Sequence, residues 1–200
     1  MSFSFHANKN FTTGEGGALV LPDPALAPLA ERLRLQGVVR HPDGEMSVDV
    51  LGGKSNLTDI AAAIGLGQLP HLAAFTARRR ELARLYFQHW DNDAGCVLPL
   101  GDFAQSNWHM FQILLPLSRM HISRGEFIAQ MKARDIGVGV HYPAMHLFGL
   151  YRALGYSDGD FPQAESVGAA IITLPLFPTM TEDDVVKVCG AVSAILKEST

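Results

Sequence analysis

The alternation of apolar and polar residues at the start of the chain predicts two short strands followed by a helix. Residues 3–5 read Phe-Ser-Phe, a glycine-rich turn follows, and residues 18–21 form a short apolar run. Leucines recur near helical spacing over residues 24–36, and the glycine that comes next is well placed as a C-cap. Residues 38–55 show no sustained period, so we expect a long loop with at most a short strand.

The middle of the chain predicts two consecutive helices. Thr58 can cap a helix that runs through DIAAAIGLGQL, and Pro70 suits the first turn of a second helix that reaches about Trp90. Alanine and glycine dominate the first of these helices, which favours tight packing. The three arginines at 78–80 are expected to lie on a solvated helix face.

The second half of the chain has the pattern of an independent α+β unit. Apolar runs predict strands at 110–115, 138–142 and 170–174. Serine and threonine caps predict helices over 123–137 and 181–197, each with an acidic residue three positions after the cap.

Composition and charge exclude several classes of protein. The 200 residues are 48% hydrophobic and 18% charged, which is typical of a folded globular chain and not of a disordered one. Sixteen basic residues stand against twenty acidic ones, for a net charge of -4. We therefore expect no partner nucleic acid and no membrane partner.

The cysteines and the chain start favour a cytoplasmic protein. Cys96 and Cys189 lie far apart and form no CxxC pair, which disfavours a disulfide framework and a structural zinc site. No apolar run reaches the roughly 20 residues that span a bilayer, and the first ten residues lack the features of a signal peptide.

The sequence around Lys9 offers the strongest candidate chemistry. Lys9 follows a predicted strand, precedes a glycine-rich turn and is flanked by His6 and Asn10. A partly buried amine in such a place can be positioned for imine formation with a carbonyl group. The alternative is an ordinary solvated lysine, which is the commoner fate of this residue type.

Several motifs, in a fixed order, resemble the DegT/DnrJ/StrS family of pyridoxal-phosphate-dependent sugar aminotransferases. The resemblance covers essentially the whole chain, and dispersed motifs in order are more specific than one lysine. The matching segments are SFHANKNFTTGEGG, NLTDIAAAIGLGQL, Trp108-His109, GVGVHYPAMHL and LPLFPTMTEDDV.

The resemblance implies a catalytic lysine and a cofactor. Lys9 corresponds to the residue that holds pyridoxal 5'-phosphate as a Schiff base, and Ser4 corresponds to a ligand of the cofactor phosphate. The lysine released during the reaction is the natural group to move a proton between substrate carbon and cofactor carbon. Lysine at this position favours transamination, because relatives that resemble dehydratases have histidine there.

A second segment resembles one that reaches across the family's dimer interface to the neighbour's cofactor phosphate. Here the chain departs from the family pattern: Lys54 stands where many relatives have asparagine, and Asn56 where many have arginine. Both side chains can bind phosphate, so both are candidate cofactor ligands. Gly14, Gly16 and Gly17 are interpreted as scaffold for the turn.

The histidines near position 141 are candidates for substrate contact. In the family this stretch lies near the active-site mouth, so His141 and Tyr142 are candidate ligands of the sugar nucleotide, with a purely structural role as the alternative. His146 lies five residues further on, but no suitably spaced third ligand is near, which disfavours a metal site. We interpret His109 as structural.

The fold implied by the resemblance is α/β and α+β, the C-terminal half of a fold-type I transferase. Residues 1–57 would be the remnant of the cofactor-binding large domain, 58–104 linking helices and a loop, and 105–200 a small α+β domain. The implied activity is transfer of an amino group, with glutamate as the expected donor, to a keto-sugar nucleotide.

Family members are about twice as long as this chain. The resemblance implies that the other half of such a protein supplies the aromatic residue that stacks on the cofactor and the aspartate that faces the pyridine nitrogen. The alternative is therefore a non-catalytic fragment or subunit that needs an N-terminal partner half. A homodimer is the other expected assembly.

Overall fold

The computed structural model describes residues 1–199 and divides the chain into two compact units, Met1–Ala73 and Ala74–Thr200. We call them unit 1 and unit 2 and describe each by itself. The functional domain boundaries expected at residues 57 and 104 stay a prediction.

Unit 1 begins with the two strands that the sequence predicts. Strand β1 (Ser2–Ser4) pairs antiparallel with β2 (Gly17–Leu19), and Ser2 lies opposite Leu19. Gly17 is required here, because a Cβ at this position would lie 2.6 Å from the carbonyl oxygen of Phe3. A 3-10 turn then leads into helix α1 (Ala27–Arg34).

The segment 38–55 is not simply a long loop. Strands β3 (Val38–Arg40) and β4 (Met46–Val48) form an antiparallel hairpin. Its turn is closed by a 2.9 Å hydrogen bond from the His41 amide to the Glu45 carbonyl, and Gly44 supplies a φ of 91°. Residues 38–40 read Val-Val-Arg and do not alternate, so the turn residues are the clearer signal of this hairpin.

The two predicted helices form one continuous helical stretch. Helix α2 (Asp59–Gln68) is capped by the Thr58 hydroxyl, which accepts from the Ala61 amide at 3.2 Å, and a 3-10 turn joins it to α3 (Leu72–His89). Contrary to the sequence expectation, the stretch Asp59–His89 is long and apolar enough to cross a membrane by length and composition, with a mean hydropathy of 1.3 over 18 residues. Isoleucine, leucine and alanine account for this value, and 6% of the window is buried. One helix that passes a test of length and composition is weak evidence for a membrane span.

Unit 2 is built around a two-stranded antiparallel sheet. Strand β5 (Phe111–Leu114) pairs with β6 (Ile171–Leu174), as predicted. The strand predicted over 138–142 is wrong, because only Gly139 pairs with the sheet, opposite Thr173. The next acceptor in line, the His141 carbonyl, is bonded by the Gln112 side chain, so the ladder does not continue.

Four helices complete unit 2. They are α4 (Arg124–Ala133), α5 (Gly149–Arg152), α6 (Pro162–Ala170) and α7 (Glu182–Glu198). Both predicted capping boxes are present, Ser123 with Glu126 and Thr181 with Asp184. Sequence periodicity did not predict α5 or α6.

The hydrophobic core lies in unit 2. Its largest fully buried side chains include Tyr86, Phe111, Phe127 and Ile195. Unit 1 is different: within residues 1–73, all of which the structure describes, the buried residues are Thr13, Gly37 and Gly65. Unit 1 therefore buries no large apolar side chain within its own chain segment.

Arg79 corrects the expectation that the three arginines share a solvated face. Arg79 is 7% exposed, and its guanidinium donates to the carbonyls of Trp108, His109 and Leu176 at 3.4, 3.1 and 2.7 Å. Arg78 also donates to a carbonyl, that of Met180 at 2.6 Å. Burial lowers the pKa of Arg79. Carbonyls that lie at the ends of extended segments need such a donor when they are buried.

We predict that Arg79→Ala destabilises unit 2 by about 3 kcal/mol, because three carbonyl acceptors lose their shared donor. Urea unfolding followed by tryptophan fluorescence measures this, since Trp90 and Trp108 both lie in unit 2. Glu81→Ala on the same helix removes an exposed carboxylate and should change stability by less than about 1 kcal/mol. Equal effects of the two substitutions would contradict the role given to Arg79.

Asp91 makes the stability of unit 2 pH-dependent. Hydrogen bonds from Lys197 and Ser193 and from the Asp93 amide lower the pKa of Asp91 to about 2. A depressed carboxyl pKa stabilises the fold above the unfolded-state value of about 3.9, and this contribution is lost as the pH falls toward 2. Asp91→Asn should flatten the fall in stability between pH 4 and pH 2 in acid titrations followed by circular dichroism, and an unchanged slope would contradict this role of Asp91.

Candidate functional site

The loop that carries Lys9 is closed by backbone hydrogen bonds at its base. The Phe5 amide donates to the Gly16 carbonyl at 2.9 Å, and the Thr13 amide donates to the Phe5 carbonyl at 3.0 Å. Phe5 and Phe11 meet edge to face, with ring centroids 4.9 Å apart. Lys9 lies within this closed loop, where it is half-buried and its amide donates to the His6 carbonyl at 2.9 Å.

Polar side chains surround the loop. Ser4 ends β1, and its exposed hydroxyl accepts a long hydrogen bond of 3.4 Å from the His6 amide. The His6 ring contacts the Asn8 carboxamide oxygen at 2.8 Å and lies 3.8 Å from the Glu15 carboxylate. Because the Ser4 hydroxyl acts as the acceptor in its contact with the His6 amide, its O–H remains free to donate.

Helix α2 holds the lysine loop by very close packing. A Cβ added to Gly65 would lie 2.9 Å from Thr13 Cγ2 and 3.1 Å from Phe11 Cζ. One turn later, Gln68 Nε2 donates to the Thr12 carbonyl at 2.7 Å, and Gln68 Oε1 accepts from the Thr12 amide at 3.3 Å. The Gln68 side chain thus makes with Thr12 the pair of hydrogen bonds that a neighbouring backbone segment would make in a sheet. Sequence reasoning missed both residues, although the glycine in an otherwise good helix was a signal.

Lys54 and Asn56 lie in a second exposed segment of unit 1. The backbone of this segment bonds to the end of α1, with the Ser55 amide donating to the Arg34 carbonyl at 2.8 Å. Lys54 Nζ donates to Asn56 Oδ1 at 2.5 Å. The two candidate phosphate ligands therefore form one small polar cluster.

A groove of about 1180 Å³ in unit 1 connects parts of these two segments. Thr13 and Gly16 of the lysine loop line it together with Asn56, and Leu19 and Ile64 contribute apolar walls. Lys9, Ser4 and Lys54 do not line this groove.

His141 and Tyr142 lie in unit 2. His141 is half-buried, and its Nδ1 lies 2.9 Å from the Thr173 hydroxyl. Tyr142 is 63% exposed and meets the His141 ring edge to face, with centroids 5.0 Å apart. An exposed aromatic ring can stack on a base, and an imidazole N–H beside it can donate to an anionic ligand.

His146 is buried beside that segment. Its Nε2 lies 2.8 Å from a Glu165 carboxylate oxygen, and its ring contacts Phe161 edge to face. Hydrogen bonds from His146 and from the Gly159 and Phe161 amides lower the pKa of Glu165. This pair ties α6 to the loop that follows Tyr142, which is a structural role.

The side chains of unit 1 fit the chemistry of a phosphorylated aldehyde cofactor. Lys9 offers a primary amine, which condenses with an aldehyde. Ser4 offers a hydroxyl donor, and Lys54 offers an ammonium group, both of which bind phosphate oxygens.

Comparison with known proteins identifies the family. The model of the DegT/DnrJ/EryC1/StrS aminotransferase family matches residues 1–193. The chain belongs to this family. Pyridoxal phosphate is the cofactor of DegT-family aminotransferases.

Relatives and solved structures agree with this assignment. The uncharacterized protein MJ1066 of Methanocaldococcus jannaschii is 38% identical over 99% of this chain and 54% of its own length. The aminotransferase PseC of Helicobacter pylori, involved in pseudoaminic acid biosynthesis, superposes with a TM-score of 0.88 at 26% identity, over 98% of this chain and 53% of that one. The PMP form of the putative sugar aminotransferase Spr1654 of Streptococcus pneumoniae gives 0.87 at 25% identity, over the same shares of the two chains.

The chain spans about half the length of the relatives and solved structures it matches. These neighbours confirm the α/β fold expected from the resemblance. The roles of the individual site residues stay predictions.

We predict that Gly65→Ala displaces the lysine loop, because the added methyl would overlap the β-branched side chain of buried Thr13. Overpacking of this kind costs about 1–3 kcal/mol. Hydrogen exchange at the Thr13 amide should become faster in this variant. Gly67→Ala on the same helix is the matched control: its Cβ would meet nothing within 4 Å, so exchange at Thr13 should not rise. Unchanged exchange in Gly65→Ala would contradict the close packing.

Proposed function

We propose that the chain forms part of a pyridoxal-phosphate-dependent sugar aminotransferase. The reaction transfers an amino group from an amino acid, with glutamate as the expected donor, to a keto-sugar nucleotide. The observation that carries this proposal is the half-buried Lys9 in a closed, helix-anchored loop of a chain that belongs to an aminotransferase family. When bound, pyridoxal phosphate supplies an aldehyde that takes up amines and a ring that withdraws electrons from the adjacent carbon.

Lys9 performs two tasks in this proposal. Its amine holds the cofactor until the amino donor displaces it. The freed Lys9 Nζ then accepts a proton from the donor's α carbon and returns it on the cofactor side, and it reverses these steps with the sugar. The backbone hydrogen bonds that join Phe5 to Thr13 and to Gly16 restrict the loop. The amine therefore returns to the same place in each half-reaction.

Three polar side chains are proposed to hold the cofactor phosphate. Ser4 donates its hydroxyl, and Lys54 and Asn56 donate from the second exposed segment of unit 1. The proximity of Lys54 Nζ to Asn56 Oδ1 supports joint action on one anion. By analogy with the family, this pair serves the phosphate of a second subunit, so we propose a homodimer.

His141 and Tyr142 are proposed to bind the sugar nucleotide. The exposed Tyr142 ring offers a stacking surface, and the half-buried imidazole offers one hydrogen-bonding nitrogen. We place the protein in the cytoplasm, where its two free cysteines, Cys96 and Cys189, stay reduced.

A second candidate is a non-catalytic fragment or subunit that needs an N-terminal partner half. Two observations favour it: the chain spans about half of its relatives, and unit 1 buries no large apolar side chain. The aspartate that would keep the pyridine nitrogen protonated and the aromatic residue that would stack on the ring are expected from that half. Lys9 alone would then be a poor catalyst.

Reduction with borohydride in the presence of pyridoxal phosphate tests the role of Lys9. We predict that the peptide containing Lys9 gains the mass of the reduced cofactor, and that Lys9→Arg abolishes this label. Lys132→Arg in α4 removes a lysine outside the site and should leave the label unchanged. Labelling spread evenly over the lysines would contradict the proposal.

Supplying an N-terminal half from a relative distinguishes the two candidates. Label at Lys9 in the chain alone, followed by amino transfer from glutamate to a keto-sugar nucleotide, supports the first candidate. Label or transfer that appears only after the half is added supports the second.

A further inference from the structure

The polar face of the unit 2 sheet converges on His141. Gln112 of β5 and Thr173 of β6 are direct register partners. Their neighbours Ile113 and Ile172 are fully buried, and side chains alternate along a strand, so Gln112 and Thr173 lie on the face away from the core. Both bond to the same residue, His141, although neither belongs to its segment.

Each of the two side chains fixes a different part of His141. Gln112 Nε2 donates to the His141 carbonyl at 2.6 Å, which holds the backbone immediately before Tyr142. The Thr173 hydroxyl lies 2.9 Å from His141 Nδ1, which fixes the ring. Hydrogen-bond partners of this kind fix the orientation of a functional side chain.

Gly139 supplies a third constraint. It exchanges two backbone hydrogen bonds with Thr173, at 2.8 and 3.0 Å. A Cβ at Gly139 would lie 2.6 Å from His141 Cε1, so the ring packs directly over this glycine. The His141 ring therefore packs on Gly139 and has the Thr173 hydroxyl within hydrogen-bonding distance of Nδ1.

Hydrogen-bond accounting favours one tautomer of His141. If His141 Nδ1 carried the proton and donated to Thr173, the half-buried Thr173 hydroxyl would have no acceptor among residues 1–199. If the Thr173 hydroxyl donates to Nδ1, the donor left over is Nε2–H, and His141 Nε2 is not a buried atom. Each arrangement leaves one donor over, but the second leaves it on an atom that solvent or a ligand can reach, so we take the second arrangement.

We infer that Thr173 and Gln112 are positioning residues for the nucleotide-sugar site. Thr173 donates to Nδ1 and keeps the proton of the neutral ring on Nε2, which becomes a donor to an anionic oxygen of the ligand, a phosphate oxygen of the nucleotide. Gln112 holds the chain so that the Tyr142 ring stays exposed. The choice of ligand rests on the proposed function, whereas the tautomer and its cause do not.

Histidine ring nitrogen NMR on the full chain tests the inference. Long-range proton–nitrogen spectra distinguish the two tautomers of His141, and His141→Gln identifies its signals. We expect the Nε2-protonated form in the native chain. Thr173→Val keeps the shape but removes the hydroxyl and should give a tautomer mixture, whereas Thr173→Ser should restore the native spectrum. Thermal unfolding of the native chain, Thr173→Val and Thr173→Ser checks that the fold is kept.

Nucleotide binding provides the second readout. Titration with dTDP and with UDP should show affinity about tenfold weaker in Thr173→Val and in Gln112→Leu, and within about twofold of native in Thr173→Ser. An Nδ1-protonated ring in the native chain, or a spectrum unchanged by Thr173→Val, would overturn the inference. If the spectra behave as expected and the native chain binds neither nucleotide, the positioning by Thr173 stands and the proposed function fails.

Discussion

Burial of apolar side chains is divided very unequally between the two units, and this division governs what each can do. Unit 2 packs Tyr86, Phe111 and Ile195 into a closed core, so its sheet and helices are stabilised by their own contacts. In unit 1, large apolar side chains such as Leu19 and Ile60 are 63% and 78% exposed. A two-stranded sheet and a helix that expose such side chains are marginal in water unless another surface covers them.

The lysine loop is therefore held by close backbone approach and polar contacts. Gly65 admits the side chains of Phe11 and Thr13 to the surface of α2, and Gln68 bonds both backbone groups of Thr12. These contacts fix the shape of the loop, but they exclude little water. A proton-transferring amine works best where water is excluded. If Lys9 has the proposed role, unit 1 therefore needs further protein surface to exclude water from it.

Much of the fold could be predicted from local signals. The caps at Thr58, Ser123 and Thr181 each fixed the start of a helix, because capping chemistry depends on residues only three positions apart. The hairpin of β3 and β4 was missed because residues 38–40 do not alternate and no local pattern pairs them with residues 46–48. The buried role of Arg79 depends on carbonyls about 30 and 97 residues away in sequence, which no local pattern contains.

The residues of the candidate site likewise differ in whether a local sequence pattern could predict them. Lys9, Ser4, His141 and Tyr142 could be named because family motifs are contiguous in sequence. Gln112 and Thr173 could not, since register across β5 and β6 brings them to His141. Residues that hold a functional group in place come from distant segments, and only the folded chain shows them together.

Hydrogen exchange of the chain by itself tests the central claim, that unit 2 is self-sufficient and unit 1 needs further surface. We predict that amides of β5, β6 and α7 exchange at least about 100-fold more slowly than those of β1, β2 and α1, because local stability follows buried apolar contact. Addition of an N-terminal half should slow exchange in unit 1. Equal protection of the two units in the chain alone would contradict the account.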